Sequence, residues 1–420
     1  MFDKKELIMD KIKLGKKVLN ELEHHGYKAY FVGGFIRDLL LNREINDIDI
    51  ATDAHPEKVM SIFSKTIPTG KKHGTITVLM EGIPFEVTTF RSEGKYLDYR
   101  HPTEVKFVSN IEEDLSRRDF TINAIAMSKN EDIIDPFNGK KALEDGMIVA
   151  VGNPEKRFLE DPLRMMRAIR FASQLNFKIE EQTYRAIVAK APYLRYIATE
   201  RIKIELDKIM VSKFPEIGIK LLYETTLINW VKGFEHTSIT RINYEEVCKF
   251  IKLTEDPLIR WFLLLIQIDQ KDHSLIMSHL RFSNKERDNV KKIFQAHSIL
   301  EAGLEEVNFK KCLVETGESY CLKLVKIFFL LGHITESEKN KLIKKVMRIN
   351  GDLPAKEIED LAISGRDLIN HFNQPGGPWI KVILNRLLEM VIYDNLANET
   401  NILLQQAKLI LEEKKDEGKN

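Results

Sequence analysis

The chain is short of cysteine and of any excess of one charge. Its 420 residues include three cysteines, and none of them forms the C-x-x-C spacing of a zinc or redox site. Lys and Arg total 64 against 63 Asp and Glu, so the formal net charge is +1. A nucleic-acid partner would therefore have to be bound by local basic patches, and the net charge neither supports nor excludes one.

Long apolar runs are also missing. The apolar run that contains residues 263–266 is too short to span a bilayer, and the first six residues carry no apolar core of signal-peptide length. Scattered cysteines in apolar helical contexts are typical of a reducing compartment, where they serve as small buried hydrophobes. The sequence therefore predicts a cytoplasmic protein without a membrane segment.

What is present is an ordinary globular composition, 43% hydrophobic and 30% charged, with room for two to four domains. Up to about residue 150 the pattern mixes helices with short strands, and beyond it helices dominate. Residues 199–210 have the apolar spacing of an amphipathic helix. Proline and glycine predict linkers over 350–354 and 374–378.

Two glycines and a pair of aspartates form the most informative pattern. Gly33 and Gly34 close an apolar strand, and Arg37 lies in the amphipathic segment that follows. Unpaired N–H groups at the start of a helix favour a bound phosphate. Asp47 and Asp49 begin thirteen residues after the second glycine and share one face of a strand, where they could hold Mg²⁺. A tight turn followed by a solvated acidic hairpin is the alternative.

A β-hairpin is predicted over residues 74–90, because β-branched and polar residues alternate on both sides of a central turn. In its second strand Phe85 and Val87 share one face, so Glu86 lies on the other. Glu86 is therefore a candidate third carboxylate. An exposed strand glutamate without a catalytic role fits the same pattern.

A later segment places Asp161, Arg164, Arg167 and Arg170 at successive i+3 steps, along one side of a helix. A carboxylate beside a guanidinium offers an acceptor next to a donor, which matches the base edges of cytosine and adenine. Guanine and uracil present the reverse order. Asp161 and Arg164 could thus select CTP and ATP without a nucleic-acid template, with Arg167 and Arg170 available for phosphate or base. The alternative is that Asp161 caps the helix and pairs with Arg164 on its surface.

Two further segments remain open between function and ordinary structure. Arg118, in the run 117–119, fits either a triphosphate clamp or solvated charge near a helix end. The segment 91–102, with mixed charge and two tyrosines, fits either a mobile active-site loop or an ordinary surface loop.

Taken in order, these motifs resemble the class II tRNA nucleotidyltransferases, the CCA-adding enzymes of the polymerase-β superfamily, in their compact bacterial form. The resemblance is carried by residues 30–40, 47–52, 86–91, 117–124, 160–170 and 199–201. It implies a seahorse-shaped molecule with an α/β catalytic head, built on a mixed sheet of five or a similar number of strands, and an all-α remainder. The implied domains are a nucleotidyltransferase head (1–150), a helical neck with the nucleotide-selecting helix (151–212), a helical body (213–335) and a tRNA-binding tail (336–420).

The resemblance also implies a role for each candidate residue. Asp47 and Asp49 would bind two catalytic Mg²⁺ ions, with Glu86 as the third catalytic carboxylate. Gly34, Arg37 and Arg118 would hold the triphosphate of the incoming nucleotide. Asp161 and Arg164 would read its base, with Arg167 and Arg170 beside them on the nucleotide-binding face.

The activity implied is addition of CCA to the tRNA acceptor arm from CTP and ATP, with release of pyrophosphate. The loop 91–102 is complete, which favours full CCA addition over addition of the two cytidines alone. The alternatives are an A-adding enzyme or poly(A) polymerase, and a non-catalytic tRNA-binding protein. Paired aspartates count against the last, because they repel RNA phosphates. A homodimer is left open.

Overall fold

The computed structural model describes residues 4–45, 47–94, 104–235 and 244–417. It forms two compact units, the first comprising Met1–Pro257 with Leu264–Arg281 and the second Leu258–Leu263 with Phe282–Asn420. Residues 95–102 of the predicted active-site loop lie outside the described residues. Within the described ranges, no helix combines the length and the apolar composition needed to cross a membrane.

The strands all belong to the first unit. They are β1 (Ala29–Val32), β2 (Asp49–Thr52), β3 (Thr66–Gly70), β4 (Thr75–Met80), β5 (Ile83–Thr89), β6 (Arg91–Glu93), β7 (Val105–Phe107), β8 (Ala126–Met127), β9 (Ile133–Ile134), β10 (Met147–Ile148) and β11 (Lys178–Ile179).

Helices lie between these strands along the chain, and beyond β11 the described elements are helical. They are α1 (Lys4–His24), α2 (Gly34–Leu40), α3 (Pro56–Ile62), α4 (Ile111–Ser116), α5 (Gly139–Glu144), α6 (Pro154–Glu160), α7 (Leu163–Leu175), α8 (Glu181–Lys190), α9 (Thr199–Met210), α10 (Pro215–Glu224), α11 (Tyr244–Ile251), α12 (Pro257–Leu265), α13 (Gln270–His279), α14 (Asn284–Glu301), α15 (Glu306–Thr316), α16 (Glu318–Leu330), α17 (Glu336–Asp352), α18 (Gly365–Phe372), α19 (Pro378–Tyr393) and α20 (Thr400–Glu417).

The main sheet is mixed, in the order β3-β4-β5-β2-β1-β8-β9. Strands β2 and β5 pair in parallel, and the other neighbours pair antiparallel. The mixed α/β head is confirmed, with seven strands where about five were expected. The additional strands include β8 and β9, which have two residues each and are too short to show an alternating pattern.

The predicted hairpin is confirmed as β4 and β5. Met80 pairs with Ile83 across a two-residue turn, and the two turn residues, Glu81 and Gly82, both have positive φ, as a type I′ hairpin turn requires. Phe85 and Val87 are buried in the core, while Glu86 lies exposed on the opposite face.

The helical predictions have mixed outcomes. Helix α9 begins and ends where the pattern predicted, and α19 begins at Pro378, the last residue of the second predicted linker. The first linker was predicted to start too early, because α17 continues through Gly351 to Asp352 and only residues 353–354 of the predicted range lie beyond the helix. Buried Val346 and Ile349 pack the last turns of that helix and outweigh the weak helix propensity of one glycine.

The second unit is built on apolar packing between helices. One of its clusters joins Leu368, Leu387 and Leu403 from α18, α19 and α20. Cys312 and Cys321 are both fully buried, as the sequence predicts, and they lie opposite each other between α15 and α16, a pairing that was not predicted. The chain reverses at Gly317 (φ +93°) between α15 and α16, and this brings the two Cα atoms to 6.2 Å, a distance that a disulfide can bridge.

Candidate active site

Two of the three predicted carboxylates lie side by side on the sheet. Asp49 begins β2 and is in register with Glu86 of the parallel strand β5, so both side chains leave the same face. Asp47 comes two residues before Asp49 and is exposed. The parallel pairing therefore brings together two carboxylates that are almost forty positions apart in the sequence. We call Asp47, Asp49 and Glu86 the acidic edge of the site.

The pKa of Asp49 is raised to about 6. Burial is the main cause, and the charges of Glu86 and Asp47 add to it, while Arg118 and Arg37 oppose it. A bound cation would favour the ionised form of this carboxylate, so the donor set fits a metal ion. In the described part of the chain no three His, Cys, Asp or Glu side chains already converge as a metal-binding group. These aspartates thus supply hard oxygen ligands without a preformed cage.

Gly33 allows the strand-to-helix turn to approach this acidic edge. It precedes α2 with φ +70°, a conformation that favours glycine. A Cβ atom at this position would lie 2.9 Å from Nη1 of Arg118 and 3.4 Å from Oδ2 of Asp49. Gly34 follows as the first residue of α2. The glycines therefore leave room for an arginine and a carboxylate of the site to meet the turn.

Arg118 is held directly behind that turn. Its Nη2 donates to Oδ2 of Asp114 at 3.2 Å, and its Nη1 donates to the carbonyl of Asn123 at 3.3 Å. Its Nε is buried without a hydrogen-bond partner. Asp114 is fully buried. Burial would raise the pKa of Asp114, but the charges of Arg117 and Arg118 outweigh it and hold that pKa below its usual value.

Arg37 begins a chain of hydrogen bonds that reaches the helix α7. Its guanidinium binds Asp38 through two bonds of 3.0 and 2.7 Å, and its Nη1 donates to Oδ1 of Asn123 at 2.9 Å. Asn123 donates to Asp119 at 3.1 Å, and Nε of Arg167 donates to the other oxygen of Asp119 at 2.7 Å. We call this series the Arg37–Arg167 chain.

Asp119 and Arg167 form an ion pair at the α7 end of the Arg37–Arg167 chain. Burial would raise the pKa of Asp119, but Arg167 and the hydrogen bonds from Asn123 and the Phe120 amide hold it well below its usual range. Burial alone would lower the pKa of Arg167, and the charge of Asp119 more than offsets it, so that pKa is raised. Both groups are therefore charged at neutral pH and fix each other's position.

The predicted base-reading residues Asp161 and Arg164 lie at the junction of α6 and α7. Arg164 binds Oε2 of Glu160 at 2.7 Å. Asp161 accepts from Arg201 at 2.8 Å and from the Leu163 amide at 3.1 Å. Asp161 caps the end of α6 in extended backbone, and α7 begins at Leu163 with Pro162 at its N-cap and no side-chain capping bond, so Asp161 does not share a helix with the arginines as the spacing predicted. Each of the two residues thus has a charged partner of its own, and their joint action on a base stays a prediction.

Arg170 is also engaged inside the protein. Its Nε binds Glu205 of α9, and its Nη1 donates to Oε1 of Gln174 at 2.8 Å. The side chain is only 6% exposed, and burial lowers its pKa. Sequence reasoning assigned no role to the residues that hold these arginines, which include Asp114, Asp119, Asn123 and Glu205; only the polar run 117–119 pointed toward them.

Three family profiles match the chain in order. The "Poly A polymerase head domain" covers residues 29–149. The "Probable RNA and SrmB-binding site of polymerase A" covers 176–235, and "tRNA nucleotidyltransferase domain 2" covers 251–407. The fold and its acidic edge therefore belong to a nucleotidyltransferase of the poly(A) polymerase head type.

Near full-length similarity narrows this class. The CCA-adding enzyme of Ligilactobacillus salivarius is 39% identical over 410 residues, 97% of this chain and 99% of its own. That of Geobacillus kaustophilus is 39% identical over 382 residues, 91% and 93% of the two chains. The crystal structure of the Bacillus stearothermophilus CCA-adding enzyme in complex with CTP is 34% identical, with a TM-score of 0.83 over 96% of this chain and 98% of that one. The chain belongs to the CCA-adding enzymes, a family of tRNA nucleotidyltransferases.

Proposed function

We propose that this chain adds cytidine, cytidine and then adenosine to the 3′ end of tRNA, from CTP and ATP, and releases pyrophosphate at each step. The observation that carries the proposal is the register of Asp49 with Glu86, directly beside Gly33 and Arg118. Carboxylates next to the partly buried guanidinium groups of Arg37 and Arg118 suit a reaction in which a hydroxyl attacks a nucleoside triphosphate.

Asp47 and Asp49 would hold the metal, with Glu86 as the third carboxylate. The family generally requires a divalent metal, and we propose a two-ion Mg²⁺ site because all three donors are hard oxygens. When bound, Mg²⁺ supplies Lewis-acid stabilisation of the α-phosphate and of the attacking 3′ oxygen.

Gly34, Arg37 and Arg118 would hold the triphosphate. Arg118 has a buried Nε without a partner in the protein, and its side chain is already oriented by Asp114. Arg37 is oriented by Asp38 and Asn123 in the same way. Guanidinium groups that are fixed before the substrate binds lose little conformational entropy on contacting phosphate.

Asp161 and Arg164 would select the base, with Arg167 and Arg170 beside them. An acceptor next to a donor favours cytosine and adenine and leaves unsatisfied polar groups against guanine and uracil. Arg164 is 8% exposed, so its hydrogen bonds form where water competes little. The helical region would bind the tRNA acceptor arm, and we place the enzyme in the cytoplasm. A homodimer stays a prediction.

Extension of tRNA that lacks its last three nucleotides tests the proposal directly. The full-length protein, Mg²⁺ and each nucleoside triphosphate are combined in turn, and the products are resolved at single-nucleotide length. We expect two additions with CTP alone and a third when ATP follows. Incorporation of GTP or UTP at the rate of CTP, extension by ATP alone, or tRNA binding without pyrophosphate release would each contradict it.

A further inference from the structure

One aromatic ring in the first unit contacts three arginines. Phe171, on α7, is 4% exposed. The guanidinium carbon of Arg170 lies 3.9 Å from the centroid of its ring, that of Arg37 5.0 Å and that of Arg167 5.4 Å. Arg37 comes from α2 beside the glycine turn, whereas the other two lie on α7 itself.

The three guanidinium groups repel one another, and each is held by a different acidic residue. The partners are Asp38 for Arg37, Asp119 for Arg167 and Glu205 for Arg170. The face of an aromatic ring attracts cations, most strongly where water is excluded. Phe171 is therefore the shared neighbour that lets these positive charges lie close together.

We propose that Phe171 is a positioning residue: its ring holds the guanidinium of Arg37 in a fixed position relative to Arg167 and Arg170 of α7. Phe171 thereby fixes the position of the triphosphate-binding turn relative to the base-selecting helix α7. The Arg37–Arg167 chain is a second connection between the same two elements. This inference rests on the proposed function, because the roles of Arg37 and α7 come from it. Phe171 does not itself contact the nucleotide in this account.

The competing explanation is that Phe171 only fills the core. Its ring also packs edge-on against Phe120, with centroids 5.8 Å apart. A matched control is Phe158 of α6, which is fully buried and over whose ring no guanidinium lies in the ranges that the structure describes. Phe171→Leu and Phe158→Leu each remove an aromatic ring and keep an apolar side chain, so only the first removes contacts with arginines.

The test compares these variants in the full-length protein. Binding of CTP is measured by calorimetry, and KM and kcat are measured for CTP, ATP and tRNA. We expect Phe171→Leu to weaken CTP binding and to raise KM for both nucleotides about tenfold, with KM for tRNA changed less than twofold. Phe158→Leu should lower the melting temperature at least as much and leave nucleotide binding within about twofold. Equal effects of the two variants on nucleotide binding would overturn the proposal.

A double-mutant cycle makes the test specific to Arg37. Because Phe171 acts through Arg37, the loss of CTP affinity in Arg37→Lys/Phe171→Leu should be smaller than the product of the two single losses. The losses in Arg37→Lys/Phe158→Leu should multiply. Multiplicative losses in both pairs, with wild type still extending tRNA, would overturn the positioning role alone. A wild type that neither binds CTP nor extends tRNA would overturn the proposed function as well.

Discussion

The two compact units bury different kinds of side chain. In the first unit the buried set includes several charged groups, among them Asp114, Asp119, Arg164, Arg170, Lys203 and Glu205. Among the described residues of the second unit the buried set is almost entirely apolar, with Arg260 and Thr316 as its polar members.

This difference indicates that the first unit orients the side chains of the candidate site, whereas the second unit is held mainly by apolar packing. A buried charge lowers stability unless it is paired and hydrogen-bonded, so a unit that holds many of them gains orientation at the expense of stability. A unit with an apolar core gains stability from packing and leaves recognition to its surface. We therefore expect polarity and pH to matter most in the first unit, and side-chain volume to matter most in the second.

The largest expected effect is at the acidic edge. Asp49→Asn removes a metal-binding charge while preserving shape, so nucleotide transfer should fall by about 10³-fold or more. Single-turnover extension of tRNA measures the rate, and far-UV circular dichroism checks the fold. Asp288→Asn, at an exposed aspartate paired with Lys292, is the matched control and should stay within twofold. Near-normal transfer by Asp49→Asn would refute the metal assignment.

A cavity in the second unit should affect stability without affecting base choice. Leu387 is fully buried in the α18–α20 cluster, so Leu387→Ala should lower the free energy of unfolding by about 3 kcal/mol. Urea unfolding measures the loss. The ratio of CTP to GTP incorporation, measured well below the melting temperature, should remain that of wild type. A changed ratio would mean that the second unit also takes part in selection.

Removing the charge of Asp119 in the first unit should lower the free energy of unfolding by an amount that depends on pH. The pKa of Asp119 is held below its usual range, so its stabilising contribution is present above the ordinary Asp pKa of about 4. This contribution is lost as the pH falls through the lower folded-state pKa. Asp119→Asn should therefore lower the free energy of unfolding by about 2 kcal/mol at pH 7, and the gap to wild type should shrink below about pH 4. Urea unfolding at several pH values measures it, and a gap independent of pH would contradict the ion pair.

The smallest expected effect is at a helix cap of the second unit. Thr335 and Glu338 form a capping box at the start of α17, so Thr335→Ala should lower the free energy of unfolding by about 1 kcal/mol. Differential scanning calorimetry measures the change, and nucleotide transfer should be unaltered. A fall in nucleotide transfer at a temperature where the variant is still fully folded would show that α17 has a direct role in the reaction.

The sequence predicted local features better than pairings. Alternation located Glu86 on the correct face of its strand, but its position beside Asp49 depends on the parallel pairing of β2 with β5, which no local pattern encodes. The i+3 spacing located the arginines of α7, whereas their partners Asp119 and Glu205 come from distant segments. The proximity of Cys312 to Cys321 was missed for a related reason, since it depends on the chain reversal at Gly317.

The central claim is that side chains of the first unit choose the base. The most direct measurement is the ratio of CTP to GTP incorporation into tRNA by wild type and by Arg164→Lys, which keeps the charge beside Glu160 and loses the planar donor pair. Arg185→Lys, at an exposed arginine of α8 that pairs with Glu181, is the control. We predict that the ratio falls about tenfold or more in Arg164→Lys and stays unchanged in Arg185→Lys. An unchanged ratio in Arg164→Lys, with transfer intact, would contradict the account.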